Sequence, residues 1–249
     1  MDLEVAGKVA IVTGGSRGVG KAIARELARE GIDVAICARN RDAVEETATE
    51  LAKATGRRIV GIAADTTHSD SVARLVDATV AQLGRVDILV NNAATPGGLV
   101  RGLVTEADEK ELLEDIDTKV VGYFRCAKAV VPHMRERGWG RIINIGGLSG
   151  RCSAVISGLR NAAVVHLTKT LADQLGRHGI TVNLVHPGTT RTERTDEETE
   201  RRAQTNAIRR IVDAREIGHI VTFLASPRAA AITGVAIDAS GGSIPVMFQ

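Results

Sequence analysis

The sequence predicts an α/β fold: a doubly wound parallel sheet of about seven strands, in one domain spanning residues 1–249. Three observations predict it. Short, continuous apolar runs recur along the chain, each followed by an amphipathic stretch; strands apolar on both faces belong in a parallel sheet covered by helices on both sides. A glycine-rich turn, Thr13-Gly14-Gly15-Ser16-Arg17-Gly18-Val19-Gly20, separates the first apolar run from the first helical one. The length of 249 residues, with 44% apolar and 25% charged side chains, is enough for one sizeable core.

The elements follow in order. Val9–Val12 is the first strand, and Lys21–Ala28 continues into a helix with Ile23 and Leu27 on one face. Val34–Cys37 is the second strand and Arg41–Thr55 the second helix. Arg58–Ile62, a helix over Ser69–Leu83 and the strand Asp87–Val90 come next. A long helix is predicted over Asp108–Arg137, bent near Pro132. Arg141–Ile145 is the fifth strand, Ser157–Leu175 a helix and Ile180–Val185 the sixth strand. Arg191–Arg210 alternates acids and bases and reads as a solvated, mobile segment, with a substrate lid as the alternative. Asp213–Ala225 is the last helix and Val235–Asp238 the last strand.

The glycine turn points to a ligand. Glycines let the backbone turn sharply and approach a pyrophosphate, and the following helix offers free N–H groups and a positive dipole end. Placed between a strand and a helix, this is a Rossmann-type dinucleotide site. Sites that prefer NAD carry an acid about 20 residues beyond the glycines, on the ribose 2′-hydroxyl. Here the second strand ends in Ala38-Arg39-Asn40, and Arg17 can reach the same region. Two guanidinium groups suit a 2′-phosphate, so the expected cofactor is NADP(H).

Composition excludes other classes. A net charge of +2 gives no reason to invoke nucleic acid. Cys37, Cys126 and Cys152 form neither a disulfide framework nor a zinc pattern, and read as buried small hydrophobes in a reducing compartment; no metal is expected. No basic-then-apolar leader and no run of membrane length appears, so a cytoplasmic protein without a membrane partner is expected.

The chain resembles the short-chain dehydrogenase/reductase family over nearly its whole length. The likeness rests on the Thr13–Gly20 turn, Asn91-Asn92-Ala93-Ala94, Gly140-Arg141-Ile142-Ile143-Asn144-Ile145, Asn183-Leu184-Val185-His186-Pro187-Gly188, Thr233-Gly234-Val235 and Gly241-Gly242. The resemblance implies cofactor contacts at Gly14, Ser16, Arg17, Gly18, Val19 and Gly20, and at Arg39 and Asn40. It implies that Asp65, with Thr66, lies against the adenine and that Asn92 and Ala93 line the ribose. Pro187, Gly188, Thr190 and Thr192 would flank the nicotinamide. It also implies a homo-oligomer, tetramer or dimer, packed through Asp108–Arg137 and Ser157–Leu175.

The family's chemistry uses a Tyr phenol, a Lys four residues later, a Ser that holds the substrate oxygen and an Asn on the long helix. Registering Thr168-Lys169-Thr170-Leu171-Ala172 on the family's pattern puts Ser157 at the Tyr position and Asn161 at the Lys position. The fifth strand puts Gly147 at the Ser position, and Gly122 puts Lys119 at the Asn position. A slipped register offers Arg160 and Val164, which is no better. The chain's single tyrosine, Tyr123, precedes the fifth strand, so no register supplies the phenol. Loss of a positioned general acid costs about 10² to 10⁴ in rate.

Substitutes for that machinery are Ser149, two residues past the Ser position; Ser157 and Asn161, one helical turn apart; Lys119, as a cation or proton donor; and His186, at the end of the sixth strand. Tyr123 is expected in the core or at a subunit contact, and His166 in packing. The expected function is NADP(H)-dependent hydride transfer to a small substrate (iminium, enone or carbonyl) at an atypical site. The alternatives are a cofactor-binding regulator without turnover and a non-redox cyclase or isomerase.

Overall fold

A computed structural model of the chain describes residues 2–95, 98–100, 103–148 and 155–244. The order of elements is β1 (Val9–Thr13), α1 (Gly18–Arg29), β2 (Asp33–Ala38), α2 (Arg41–Thr55), β3 (Ile59–Ala63), α3 (Ser69–Leu83) and β4 (Ile88–Asn91). There follow α4 (Glu109–Ile116), a π-helical turn (Asp117–Val121), α5 (Gly122–Glu136), β5 (Gly140–Ile145), α6 (Gly158–Leu175) and β6 (Ile180–Pro187). The chain then runs through β7 (Thr190–Arg191), α7 (Glu197–Ala203), β8 (Val212–Asp213), α8 (Ala214–Leu224) and β9 (Ala236–Ala239).

Seven strands form one parallel sheet in the order β3-β2-β1-β4-β5-β6-β9, and β7 and β8 pair separately. Alternation along each strand splits the core between the two faces. Ala10 and Val12 of β1 join Ile23 and Leu27 of α1, Val44 and Leu51 of α2, and Ile217 and Val221 of α8. Val9 and Ile11 face the other way, with Leu75 and Val76 of α3, Val130 and Met134 of α5 and Leu171 of α6. The strand order reverses between β1 and β4, which opens a crevice at their carboxyl ends.

Local chemistry fixes the helix ends. Asn40 and Asp108 accept from Ala43 N and Lys110 N, capping α2 and α4. Asp213 and Glu216 form a reciprocal capping box at the start of α8.

The long helix expected over Asp108–Arg137 is present as α4, the π-helical turn and α5 in succession, with Pro132 inside α5. An i→i+5 turn inserts one extra residue and swings the following side chains around the axis, with no proline required. The stretch from Arg191 to Arg210 is largely exposed, as expected, and it is ordered into local structure. It carries α7, capped by Asp196, with Arg191 paired to Glu200 and Arg210 paired bidentately to Glu216. Tyr123 is in the core, its O–H donating to Ile145 O at 2.9 Å, whereas His166 is exposed. Cys37 and Cys126 are buried free thiols, burial pushing Cys37 up to about 12; Cys152 lies outside the described residues.

Candidate active site and cofactor crevice

The floor of the crevice is stitched by Thr13 and Asn92. Thr13 Oγ1 accepts from Asn92 N at 2.9 Å and Ala93 N at 3.0 Å, while Asn92 Nδ2 donates to Thr13 O and Gly14 O at 3.0 and 3.1 Å. The glycine turn rises over this floor, and Thr47 Oγ1 anchors it by donating to Ser16 O at 2.9 Å. A Cβ on Gly20 would stand 2.5 Å from Asn92 Nδ2, so only glycine lets α1 start this close to β4. Val19 packs on the core beneath, and Arg17 projects, exposed, from the turn.

At the head of α1, Gly18 N donates to both carboxylate oxygens of Glu193, at 3.0 and 3.2 Å. Glu193 was not singled out in the sequence. An anion on the first N–H of a helix is what a phosphate would be, so the cradle fits a dinucleotide and a side chain of the same charge stands in it. Thr192 approaches the same turn, its methyl 3.8 Å from where a Gly18 Cβ would be. Gly188 packs against Ser240, and Thr190 Oγ1 donates to Gly188 O at 2.9 Å, holding the stretch after Pro187 over the crevice.

At the other end of the crevice Arg39 is exposed beyond β2. Asn40 spends its side-chain oxygen on the α2 cap. Asp65 Oδ1 accepts from Thr67 N at 3.0 Å and Thr67 Oγ1 at 2.8 Å. Burial alone would raise the Asp65 carboxyl; the Thr67 hydrogen bonds, with His68 and Arg39 nearby, outweigh it and hold it below its ordinary range. Thr66 is buried, its carbonyl accepting from Arg125.

The remaining wall joins β5, β6, α6 and the π-helical turn. Gly147 N donates to His186 Nδ1 at 3.1 Å, and the imidazole packs against Gly146, where a Cβ would come within 2.5 Å of Nδ1. A Cβ on Gly147 would stand 2.9 Å from Asn161 Nδ2. The Gly146-Gly147 pair therefore makes room for one imidazole and one amide.

Lys119 enters from the π-helical turn. It is 3% exposed, and its Nζ donates to Asn161 Oδ1 at 2.7 Å and to Gly146 O at 2.9 Å. Burial lowers its pKa to about 7; the Arg160 cation adds to that and the Asp115 carboxylate opposes it. Asp115 and Arg160 are a buried ion pair, and Arg160 Nη2 also donates to Thr95 O at 2.9 Å. Neither partner was selected from the sequence, although Asp115 and Lys119 stand four apart on one helix, the spacing of side-chain neighbours.

Ser157 is committed to the backbone: its Oγ accepts from Val100 N at 3.1 Å and donates to Val100 O at 3.0 Å, latching the segment after β4 to the start of α6. Ser149 lies outside the described residues. A second buried polar chain, Asn91 to Asn144 to Thr168, ties β4, β5 and α6 together with 2.9 Å hydrogen bonds. Among the described residues no cluster of three or more His, Cys, Asp or Glu side chains offers a metal site, and no helix is long and apolar enough to cross a membrane.

The short chain dehydrogenase family matches residues 8–203. This chain belongs to the short-chain dehydrogenase family. Its relatives include the 3-oxoacyl-(acyl-carrier-protein) reductase FabG of Vibrio cholerae, 38% identical over 251 residues, covering 97% of this chain and 98% of the relative. L-sorbose reductase from Gluconobacter frateurii, solved with NADPH and L-sorbose, superposes with a TM-score of 0.91 at 29% identity, covering 99% of this chain and 100% of that one. A 7α-hydroxysteroid dehydrogenase solved with NADH gives 0.90 at 28% identity, over 99% and 98% of the two chains. The protein is an oxidoreductase of the short-chain type, and its crevice is that of a nicotinamide cofactor.

Proposed function

We propose that this short-chain dehydrogenase is an NADP(H)-dependent oxidoreductase of one domain that reduces a small activated substrate without the family's Ser-Tyr-Lys set. The observation that carries the cofactor choice is Arg39, exposed just beyond β2 where an NAD site would place an acid, together with Arg17, exposed on the glycine turn. Relatives of the same fold bind either dinucleotide, so this chain's own charges decide. A 2′-phosphate takes a guanidinium as a charge-assisted, bidentate partner; an unmodified ribose gains little from it.

When bound, the cofactor supplies hydride chemistry. The chain's residues do the rest: the α1 N-terminus and Gly18 receive the phosphates, Asn92 and Ala93 border the ribose, Asp65 and Thr66 the adenine, and Pro187, Gly188, Thr190 and Thr192 cover the nicotinamide. Ser157, Asn161, Lys119 and His186 stand on the substrate side, where Ser149 also falls in sequence, with Gly147 in the place of a serine. Arg17→Ala with Arg39→Ala tests the cofactor assignment by fluorescence titration. We expect NADPH binding to fall at least about tenfold more than NADH binding, from two lost charge-assisted contacts; equal losses contradict it.

Two further features support a homo-oligomer in a reducing compartment such as the cytoplasm. Leu113, Phe124 and Leu159 are exposed apolar side chains on α4, α5 and α6, the helices through which the family's subunits pack, and Cys37 and Cys126 are free thiols. Light scattering at micromolar concentration reads the assembly; a monomer contradicts it.

A further inference from the structure

Hydride delivered to a carbonyl carbon leaves charge on oxygen, and a proton must meet it. Two hydroxyl groups near the crevice are engaged elsewhere: the single O–H of Ser157 goes to Val100 O, and that of Tyr123 goes to Ile145 O inside the core. His186 Nδ1 accepts from Gly147 N, which leaves the imidazole proton on Nε2. Lys119 differs. Its Nζ is held by one carbonyl at the end of β5 and one amide at the start of α6, and that amide lies against Gly147. An ammonium has three N–H groups, and these two contacts use two of them.

We propose that Lys119 is the proton donor of this site: its ammonium, delivered from the π-helical turn and not from α6, protonates the carbonyl oxygen of a substrate bound against Gly147. The inference rests on the hydride-transfer reading above. The balance is simple. The carbonyl carbon gains hydride, the oxygen gains the proton of Lys119, and the products are an alcohol, the oxidised dinucleotide and a neutral amine that takes a proton from solvent. The same ammonium stabilises the oxyanion of an enone reduced at its β-carbon.

Electrostatics narrows the substrate class. Asp115 and Arg160 neutralise one another, so the net charge of the buried cluster is that of the Lys119 proton. A developing oxyanion is favoured there, and a preformed iminium cation is repelled. Substrates are therefore carbonyl compounds. The charged and titratable groups around Lys119 are Asp115 one turn earlier, Arg160 on α6, His186 of β6 behind Gly146, and Tyr123 one turn later. Its pKa of about 7 puts the proton within reach of transfer near neutral pH.

The test uses the full chain with 4-deuterated NADPH and three probes: acetoacetyl-N-acetylcysteamine, 2-cyclohexenone and 1-pyrroline. Mass spectrometry reads the label, and 15N-lysine NMR of the protein alone reads titration. The expected result is label in the ketone or enone, with kcat/KM falling about tenfold per pH unit above about pH 7, because the acid form is needed. Lys119→Met should lose about 10²-fold or more at low pH and lose that limb, with NADPH affinity changed less than about threefold. One lysine signal should titrate near pH 7 and be missing from Lys119→Met. Lys119→Met retaining wild-type rate and limb, or no lysine titrating below pH about 9, overturns the proposal. Bound NADPH with no label in any carbonyl probe overturns the hydride-transfer reading, and the proton-donor role falls with it.

Discussion

Asp115→Asn isolates the ion pair beneath the active site. Asp115 is 0% exposed and its partner Arg160 5%. The substitution keeps the shape of the side chain and removes its charge, leaving Arg160 and, below about pH 7, Lys119 as two cations in one dry cluster. Removing one partner of a buried pair costs about 3–5 kcal/mol. In a domain of this size each kcal/mol lowers Tm by about 2–4 °C, so the expected loss is roughly 6–20 °C. The loss should be larger at pH about 6 than at about 8.5. A neutral amide no longer supports the Lys119 ammonium as the carboxylate does, and the difference disappears once Lys119 is neutral in both proteins. Thermal unfolding followed by circular dichroism measures both. A drop below about 2 °C at either pH refutes the buried ion pair, given its expected 3–5 kcal/mol. An equal drop at both refutes the coupling to Lys119.

Lys119 also predicts a stability profile. Folded, it keeps its proton only below about pH 7; unfolded, it is an ordinary lysine near about 10.4. Between those values the unfolded chain binds more protons, so the Lys119 contribution to stability rises with pH, by up to about 1.4 kcal/mol per unit. The unfolding free energy of wild type minus that of Lys119→Met, from urea melts at about pH 7.5 and 9, should rise accordingly; a flat difference contradicts the depressed pKa. At the phosphate cradle, Glu193→Gln removes the anion on Gly18 N–H. NADPH should bind about 3- to 10-fold tighter, the scale of one exposed charge-assisted hydrogen bond. Unchanged or weaker binding shows that the carboxylate does not compete with the cofactor.

How much of this was legible in the sequence depends on the range of the interactions. The sheet and the cofactor turn are written locally, in apolar runs such as Val9–Val12 and in glycines whose neighbours leave no room for a Cβ, so Gly20 and Asn92 were readable at sight. The π-helical turn in the long helix was not: Asp117–Val121 contains no glycine or proline to mark it. Lys119 was nameable only as one of several substitutes, because a lysine four residues after an aspartate is also what a solvated helix face carries. Its burial depends on Gly146, Asn161 and Arg160, which reach it from other elements. Ser157 passed for a candidate donor for the same reason: the partner that occupies it, Val100, is 57 residues away. Glu193 lies 175 residues from the glycine it meets, in a stretch whose alternating charges hid it.

The most direct measurement is deuteride transfer from 4-deuterated NADPH to ketones, enones and cyclic imines, read by mass spectrometry. Label in a ketone or enone product and none in the imine is predicted, since the site pairs an NADP(H) crevice with a buried ammonium. No label in any product while NADPH is bound contradicts the account at its centre.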